Sequence, residues 1–345
     1  MIFAKNTFIL LCLSLLLLIP FNKGNAQGTA ELEYKPLPKS LLWEITGKGL
    51  RKPSYLYGTI HLIPKDSFFI TDATKERMSE ADELVLEVPI GDMGLGEVFS
   101  MMKYMNMPAG QSLKTVLSPK DYAYLDSFLT ALPGSGGGGG LLSTSLSIEG
   151  INRIQPSMAM QQISSAYCKT EDEETPDRPL DESMMPEDGE DITSSLMGMS
   201  MGDNVVYELY FTDIFKESDR PVSGLETAKE QMKVLSSVPV EEQAASLMQA
   251  VRNPESLCGE MGDLVALYRS QDIQQMVDMS SEDEMMGDHL DNFLNKRNAN
   301  WIPQIEEKVL AGDCIFIAVG AAHLAGPEGV IHLLRKAGYT LKPLF

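Results

Sequence analysis

The chain has only four histidines and four cysteines in 345 residues. No Cys-x-x-Cys occurs, so a thiolate zinc site is not expected. Positive charge is scarce: 28 Lys and Arg face 49 Asp and Glu, a formal net charge of -21. Such a surface argues against nucleic acid or anionic lipid as a partner. Beyond the first residues, no stretch is long and apolar enough to cross a bilayer.

Those first residues have a character of their own. Lys5 gives a positive start, Phe8 to Pro20 is a leucine-rich apolar run, and Gly24-Asn25-Ala26 offers small residues before Gln27. The pattern predicts an export leader over residues 1–26, cleaved near Ala26. The apolar run is short for a membrane anchor. Cys12 lies inside that run rather than after it, which argues against a lipid anchor. The expected product is periplasmic or secreted, spans residues 27–345 and has no stable membrane insertion. Its formal charge is -23, since the leader carries two lysines and no acids. Export permits disulfides. Cys314 opens a buried-looking strand, which leaves Cys168 and Cys258 as the expected pair.

Short apolar runs alternate with amphipathic stretches. Leu41–Thr46 and Ser54–Ile60 read as a hairpin across Gly47-Lys48-Gly49. Asp72–Ala81 reads as a polar helix, and Glu83–Val88 as a strand with Leu84, Leu86 and Val88 on one face. Ser118 then Pro119 start a helix that runs to about Leu132. Further helices are expected over Ile148–Ala166, Asp203–Lys216, Thr227–Leu235, Pro239–Ala250, Cys258–Met279, Ser281–Asn300 and Pro327–Lys336, with helical pattern continuing over Ile305–Leu310. Pro221–Glu226 reads as a short buried strand and Cys314–Val319 as a strand covered on both faces. Tyr339–Leu344 reads as a last edge strand. Gly134–Gly140 reads as a flexible loop or linker. Thr170–Asp191 reads as a solvated acidic insert; it lacks the alternation and glycine of a calcium loop. This pattern of elements predicts an α/β fold: a central, mostly parallel sheet flanked by helices, with a helical middle segment.

Two of the four histidines sit in matching contexts. Gly58-Thr59-Ile60-His61 and Gly320-Ala321-Ala322-His323 each close a strand-like run through a glycine. Glu87 ends the Leu84–Val88 run and Glu226 follows Val222–Leu225. If these four strands are parallel, all four side chains reach one sheet edge, where open α/β sheets place ligands. Two imidazoles and a carboxylate suit zinc, manganese or iron. A further carboxylate suits a general base. Taken singly, each residue has a plainer reading: His61 as a turn cap, Glu87 as an exposed strand residue, Glu226 as a helix N-terminal acid, Arg297 as a surface charge. His289, in an acidic helix, and His332, off the apolar stripe of its helix, read as uninvolved.

The chain also resembles the TraB/GumN family, which is related to the animal Tiki proteins. The likeness rests on Leu42-Trp43, on Ser54 to Leu62, on Ala81 to Glu87, and on Gly224-Leu225-Glu226-Thr227 with Gln231. It continues through Arg297-Asn298 with Trp301, Val319 to Leu324, Gly326, Gly329-Val330, Leu333-Leu334 and Gly338-Tyr339. It spans nearly all of the chain after the leader, in order. The resemblance implies one α/β domain, related to erythromycin-esterase-like and ChaN-like proteins, with both Gly-x-x-His motifs facing one pocket. It implies a metal-dependent peptidase acting on a peptide or protein substrate, with manganese or cobalt favoured; the leader adds export, and the residue types add zinc as a further candidate. By matching motifs, His61, Glu87 and His323 would hold the metal. Glu87 and Glu226 would be the working carboxylates, and Arg297 and Asn298 would steady a substrate or an oxyanion. The related folds keep two alternatives open: a non-catalytic haem- or iron-binding module, and a metal-dependent esterase.

Overall fold

The computed structural model describes residues 32–89, 96, 103–132, 146–168 and 204–345, with the exception of 283. The expected leader, the glycine run Gly134–Gly140 and the acidic stretch Thr170–Asp191 lie outside the described residues. Strand β1 (Leu42–Gly47) and strand β2 (Ser54–Thr59) form the expected antiparallel hairpin, with Leu42 opposite Tyr57. The chain turns between them through Gly47 and Gly49 at φ 96° and 76°, a region open to a residue without a Cβ. Strand β3 (Ile63–Pro64), helix α1 (Asp72–Glu80) and strand β4 (Glu83–Leu86) come next. After them lie α2 (Leu113–Val116), α3 (Pro119–Ala131), α4 (Ile148–Ile151) and α5 (Pro156–Tyr167). Ser118 caps α3 by accepting from the Asp121 N–H, as expected.

Strand β5 (Asn204–Val205) pairs with β3 in a two-stranded sheet and leads into α6 (Tyr207–Glu217). Strand β6 (Val222–Gly224) precedes α7 (Ala228–Leu235), α8 (Val240–Arg252), α9 (Pro254–Arg269), α10 (Ile273–Glu282) and α11 (Glu284–Leu290). A π-turn at Asp291–Asn295 opens α12 (Lys296–Leu310). Strand β7 (Ile315–Gly320), a 3-10 turn at Ala321–His323, α13 (Val330–Lys336) and strand β8 (Tyr339–Leu344) complete the order.

The main sheet runs β6-β4-β7-β2-β1-β8. Strands β6, β4, β7 and β2 are parallel; β1 is antiparallel to both β2 and β8. This is the mostly parallel α/β sheet that the sequence predicts. Every residue of β2 and β7 is buried, because helices cover both faces of the sheet centre. Trp43, Tyr55, Tyr57 and Phe316 are its largest buried side chains, and Phe211 of α6 meets Tyr57 edge-on. A second apolar cluster (Leu113, Leu125, Ile151, Ile163, Leu247) joins α2 to α5 with α8. Residues Tyr34–Phe345 group as one compact unit; of Met1–Glu33, only 32 and 33 are described. Among the described residues no helix is long and apolar enough to cross a membrane.

Several local expectations are corrected. Val85 is as buried as Leu84 and Leu86, so β4 is covered on both faces rather than on one. Strand β6 is half-buried, not buried, because it forms the sheet edge. Ile148–Ala166 is two helices: Pro156 opens α5, and extended Gln155 before it breaks the run. Asn204 and Val205 belong to β5, so the next helix starts only at Tyr207. Cys258–Met279 is also two helices. Gln271 takes φ 59°, the Gln271 N–H bonds the Tyr268 carbonyl and the Asp272 N–H bonds the Leu267 carbonyl, which closes α9 as a Schellman cap. Ser281–Asn300 is interrupted by the π-turn. The last helix begins at Val330 behind Gly329, not at Pro327. His332 is buried, edge-on to Tyr34, rather than turned away from the core.

Cys168 and Cys258 form the expected disulfide, and Cys314 is buried and free. The bridge ties the end of α5 to α9 across 90 positions of chain. Replacing both residues with serine should cost about 2–5 kcal/mol, because the unfolded chain regains the entropy of an open loop. Denaturant unfolding of the double variant, beside wild type with and without reductant, measures this.

Candidate functional site

The four parallel strands end in register. Gly58 lies opposite Val319, Thr59 opposite Gly320, Leu86 opposite Ala318 and also opposite Gly224. His61, Glu87, Glu226 and His323 therefore all leave the carboxyl edge of adjacent strands, as open α/β sheets arrange their ligand sites.

The two Gly-x-x-His motifs pack against each other. A Cβ on Gly58 would stand 2.9 Å from Leu324 Cδ1 and 3.0 Å from Ala321 Cα. Only a glycine there lets β2 lie so close to the turn that carries His323. A Cβ on Gly320 would stand 3.2 Å from Glu87 Oε1, 3.4 Å from His323 Cδ2 and 3.7 Å from His61 Nε2. The space where that side chain would be is thus bordered by both histidines and Glu87.

Charge at this edge is organised by Arg297, whose side chain is 11% exposed. Its guanidinium binds both oxygens of Glu226, Nε to Oε2 at 3.1 Å and Nη2 to Oε1 at 2.5 Å. Nη2 also binds Glu87 Oε2, and Nη1 donates to the Phe293 carbonyl and faces His323 Nε2 at 3.1 Å. Glu87 accepts further from the Gly320 N–H at 2.6 Å and from Gln231 Nε2 at 3.1 Å. Burial raises the Glu87 carboxyl, but His323, His61 and Arg297 overcome this and hold it at about 2. Glu226 moves the other way: burial raises it and Arg297 only partly opposes. The π-turn before Arg297 adds one residue to the helical register, which rotates the rest of α12 by about 100° around its axis.

The histidines have different supports. His323 is buried and lies tilted against Trp301, with ring centroids 4.5 Å apart. Asn298 donates from Nδ2 to the Glu328 carbonyl, so its Oδ1 faces His323 Nδ1 at 2.6 Å and takes that proton. Nε2 is then the nitrogen with a lone pair. Burial pushes this imidazole down to about 3, so it is neutral at pH 7. His61 is the more open of the two, its side chain 65% exposed against 4% for His323. Its Nδ1 lies 2.9 Å from Glu208 Oε1. Desolvation pulls the His61 pKa down, but attraction to Glu208, the bond to it and a smaller pull from Glu87 raise it to about 9.

Among the described residues, no three His, Cys, Asp or Glu side chains close on one point as a finished metal cage. The donors suit a divalent ion in kind. His61 Nε2 and Glu87 Oε1 border the Gly320 space beside the Cδ2 edge of the His323 ring, His323 Nε2 and Glu87 Oε1 are 3.7 Å apart, and each ring is held at Nδ1; Arg297 Nη1 lies 3.1 Å from His323 Nε2 and would have to give way to a bound ion. Asn298 is buried with both amide atoms engaged, so it faces His323 rather than a substrate. His289 pairs with Glu242, and His332 packs on Tyr34. Sequence reasoning misses Glu208. It is an acid inside the apolar run Val205-Val206-Tyr207-Glu208-Leu209-Tyr210-Phe211, and that anomaly is its one signal.

The sequence model of the TraB/PrgY/gumN family matches residues 41–343. The chain is 22% identical to the "Metalloprotease TIKI homolog" of Amphimedon queenslandica over 347 residues, covering 93% of this chain and 64% of that protein. It is 32% identical to "Metalloprotease TIKI1" of Danio rerio over 111 residues, 32% of this chain and 21% of that one. The chain thus spans less than two thirds of the length of either relative. No solved structure matches.

Two substitutions probe this edge. Arg297→Met should cost about 3–5 kcal/mol, since it leaves two buried carboxylates without a counter-ion. Arg297→Lys should recover only part, because an ammonium cannot span Glu226 bidentately. Thermal unfolding reads both. Gly320→Ala should keep the fold while its methyl fills the shared space; titration with Co²⁺ should show a loss of roughly tenfold or more in affinity.

Proposed function

The chain belongs to the TraB/PrgY/gumN family, and we propose that it is an exported, metal-dependent hydrolase that cleaves peptide bonds. One observation carries the reading. Two Gly-x-x-His motifs about 260 positions apart pack glycine to turn, and together with Glu87 they border one space at the carboxyl edge of a parallel sheet. The metalloprotease names of the two relatives support the choice of a peptide bond over an ester.

In this reading His61, Glu87 and His323 hold a divalent ion, with manganese, cobalt or zinc as candidates. When bound, such an ion supplies Lewis acidity that activates water and polarises a carbonyl. The chain's own residues do the rest. Asn298 keeps the His323 lone pair on Nε2. Arg297 keeps Glu87 ionised and restrains Glu226. Burial gives Glu226 the higher proton affinity of the two carboxylates, so it is the better acceptor for a proton shed in hydrolysis. Removal of residues 1–26 on export would leave the strongly acidic chain free of the membrane, with a peptide or protein as its substrate and no nucleic-acid partner.

The test uses the chain without residues 1–26, stripped with chelator and reloaded singly with Mn²⁺, Co²⁺ or Zn²⁺. Unfolded protein is the probe, and cleavage is read by mass spectrometry. Cleavage should appear only with metal and fall at least 100-fold in His61→Ala, Glu87→Ala and His323→Ala, in line with the loss of a metal-generated nucleophile. Cleavage that survives chelation, or wild-type activity in all three variants, sinks the proposal.

A further inference from the structure

Glu208 is a buried acid with no part in the chemistry proposed for the other carboxylates. Its side chain is 4% exposed. One oxygen, Oε1, takes the Thr59 hydroxyl at 2.9 Å and faces His61 Nδ1 at 2.9 Å. The other, Oε2, is buried with no hydrogen-bond partner. An acid placed only for stability would have both oxygens satisfied, because an unpaired buried polar atom costs about 1–3 kcal/mol. This one gives its single paired oxygen to the first Gly-x-x-His motif, to Thr59 and His61 together.

The backbone is arranged to bring these residues together. Strand β3 starts two residues after His61, and strand β5 ends three residues before Glu208. The two pair directly, Ile63 with Val205 and Pro64 with Asn204. This small sheet clips the His61 turn to the start of α6. Glu208 sits in the first turn of that helix, where the backbone dipole favours a carboxylate. Tyr207 beside it is locked by donating its hydroxyl to the Phe69 carbonyl at 2.8 Å.

From this we infer that Glu208 is a positioning residue: it holds the His61 ring by Nδ1 so that Nε2 points into the Gly320 space. The role is the counterpart of Asn298 at His323. One motif is held by a neutral amide and the other by an anion, so the two rings are not interchangeable. The consequence for metal affinity rests on the proposed metal-dependent function; the orientation of the ring does not.

Two measurements separate them. In metal-free protein labelled with ¹⁵N, His61 is identified by the loss of its signals in His61→Asn. At a pH well above the His61 pKa of about 9, where the ring is neutral, wild type should show a proton held on His61 Nδ1, and Glu208→Ala should lose it in favour of the Nε2–H tautomer. Glu208→Gln, which keeps the shape and an acceptor oxygen, should retain it. An unprotonated Nδ1 in wild type, or an unchanged pattern in Glu208→Ala, overturns the inference. The second measurement is Co²⁺ titration followed by visible absorption. Glu208→Ala should bind about 10–100-fold more weakly, with most of the loss recovered in Glu208→Gln. Affinity within twofold of wild type in Glu208→Ala overturns the positioning role. Wild type that binds no Co²⁺ overturns the metal reading, and the nitrogen spectra then decide Glu208 alone. Circular dichroism of each variant confirms the fold.

Discussion

A buried guanidinium makes the working edge of this protein possible. Glu87 and Glu226 both stand at the ends of parallel strands in a largely dry region, where two carboxylates would repel and at least one would take a proton. Arg297 lies between them and binds both. It also reaches His323, so the same cation sets the charge of the acids and lies against the second imidazole. Its own place is set by a chain of further constraints: the π-turn before it, the Phe293 carbonyl, and the Trp301 ring 5.0 Å from its guanidinium carbon. A buried ion pair is a weak source of net stability. Here its effect is to fix which groups are charged.

The second constraint is steric. The two motifs meet because Gly58 lacks a side chain, which would strike the opposing turn, and the space between the histidines is open because Gly320 lacks one. Loss of a Cβ in each case trades backbone entropy for proximity. The repeated glycine in the motif therefore has two different physical reasons, and the resemblance of the two copies in sequence hides a difference in role.

Much of this edge is legible in the sequence alone. Short apolar runs ending at Gly58, Val88, Leu225 and Gly320 mark the strands, and the acids and histidines just beyond them mark the edge. The hairpin and the α3 cap come from equally local signals, and the disulfide from setting Cys314 aside as a core residue. The hidden features depend on distance or on unfavourable local choices. The bond between His61 and Glu208 spans 147 positions, and nothing near either residue announces the other. Strands β3 and β5 have two residues each, too few to show a period. Gln271 ends α9 in a left-handed conformation that propensity assigns to glycine. His332 is drawn inside by Tyr34, from far along the chain.

The position of β7 has a temporal consequence. It comes after both β2 and β4 in chain order, yet it lies between them in the sheet. A chain still being made carries His61, Glu87 and Glu226 but lacks the strand that spaces them, the glycine that separates them and the second imidazole. Assembly of the edge therefore waits for β7 to be made. The proposed hydrolase would be inert until β7 and its histidine turn have joined the earlier strands.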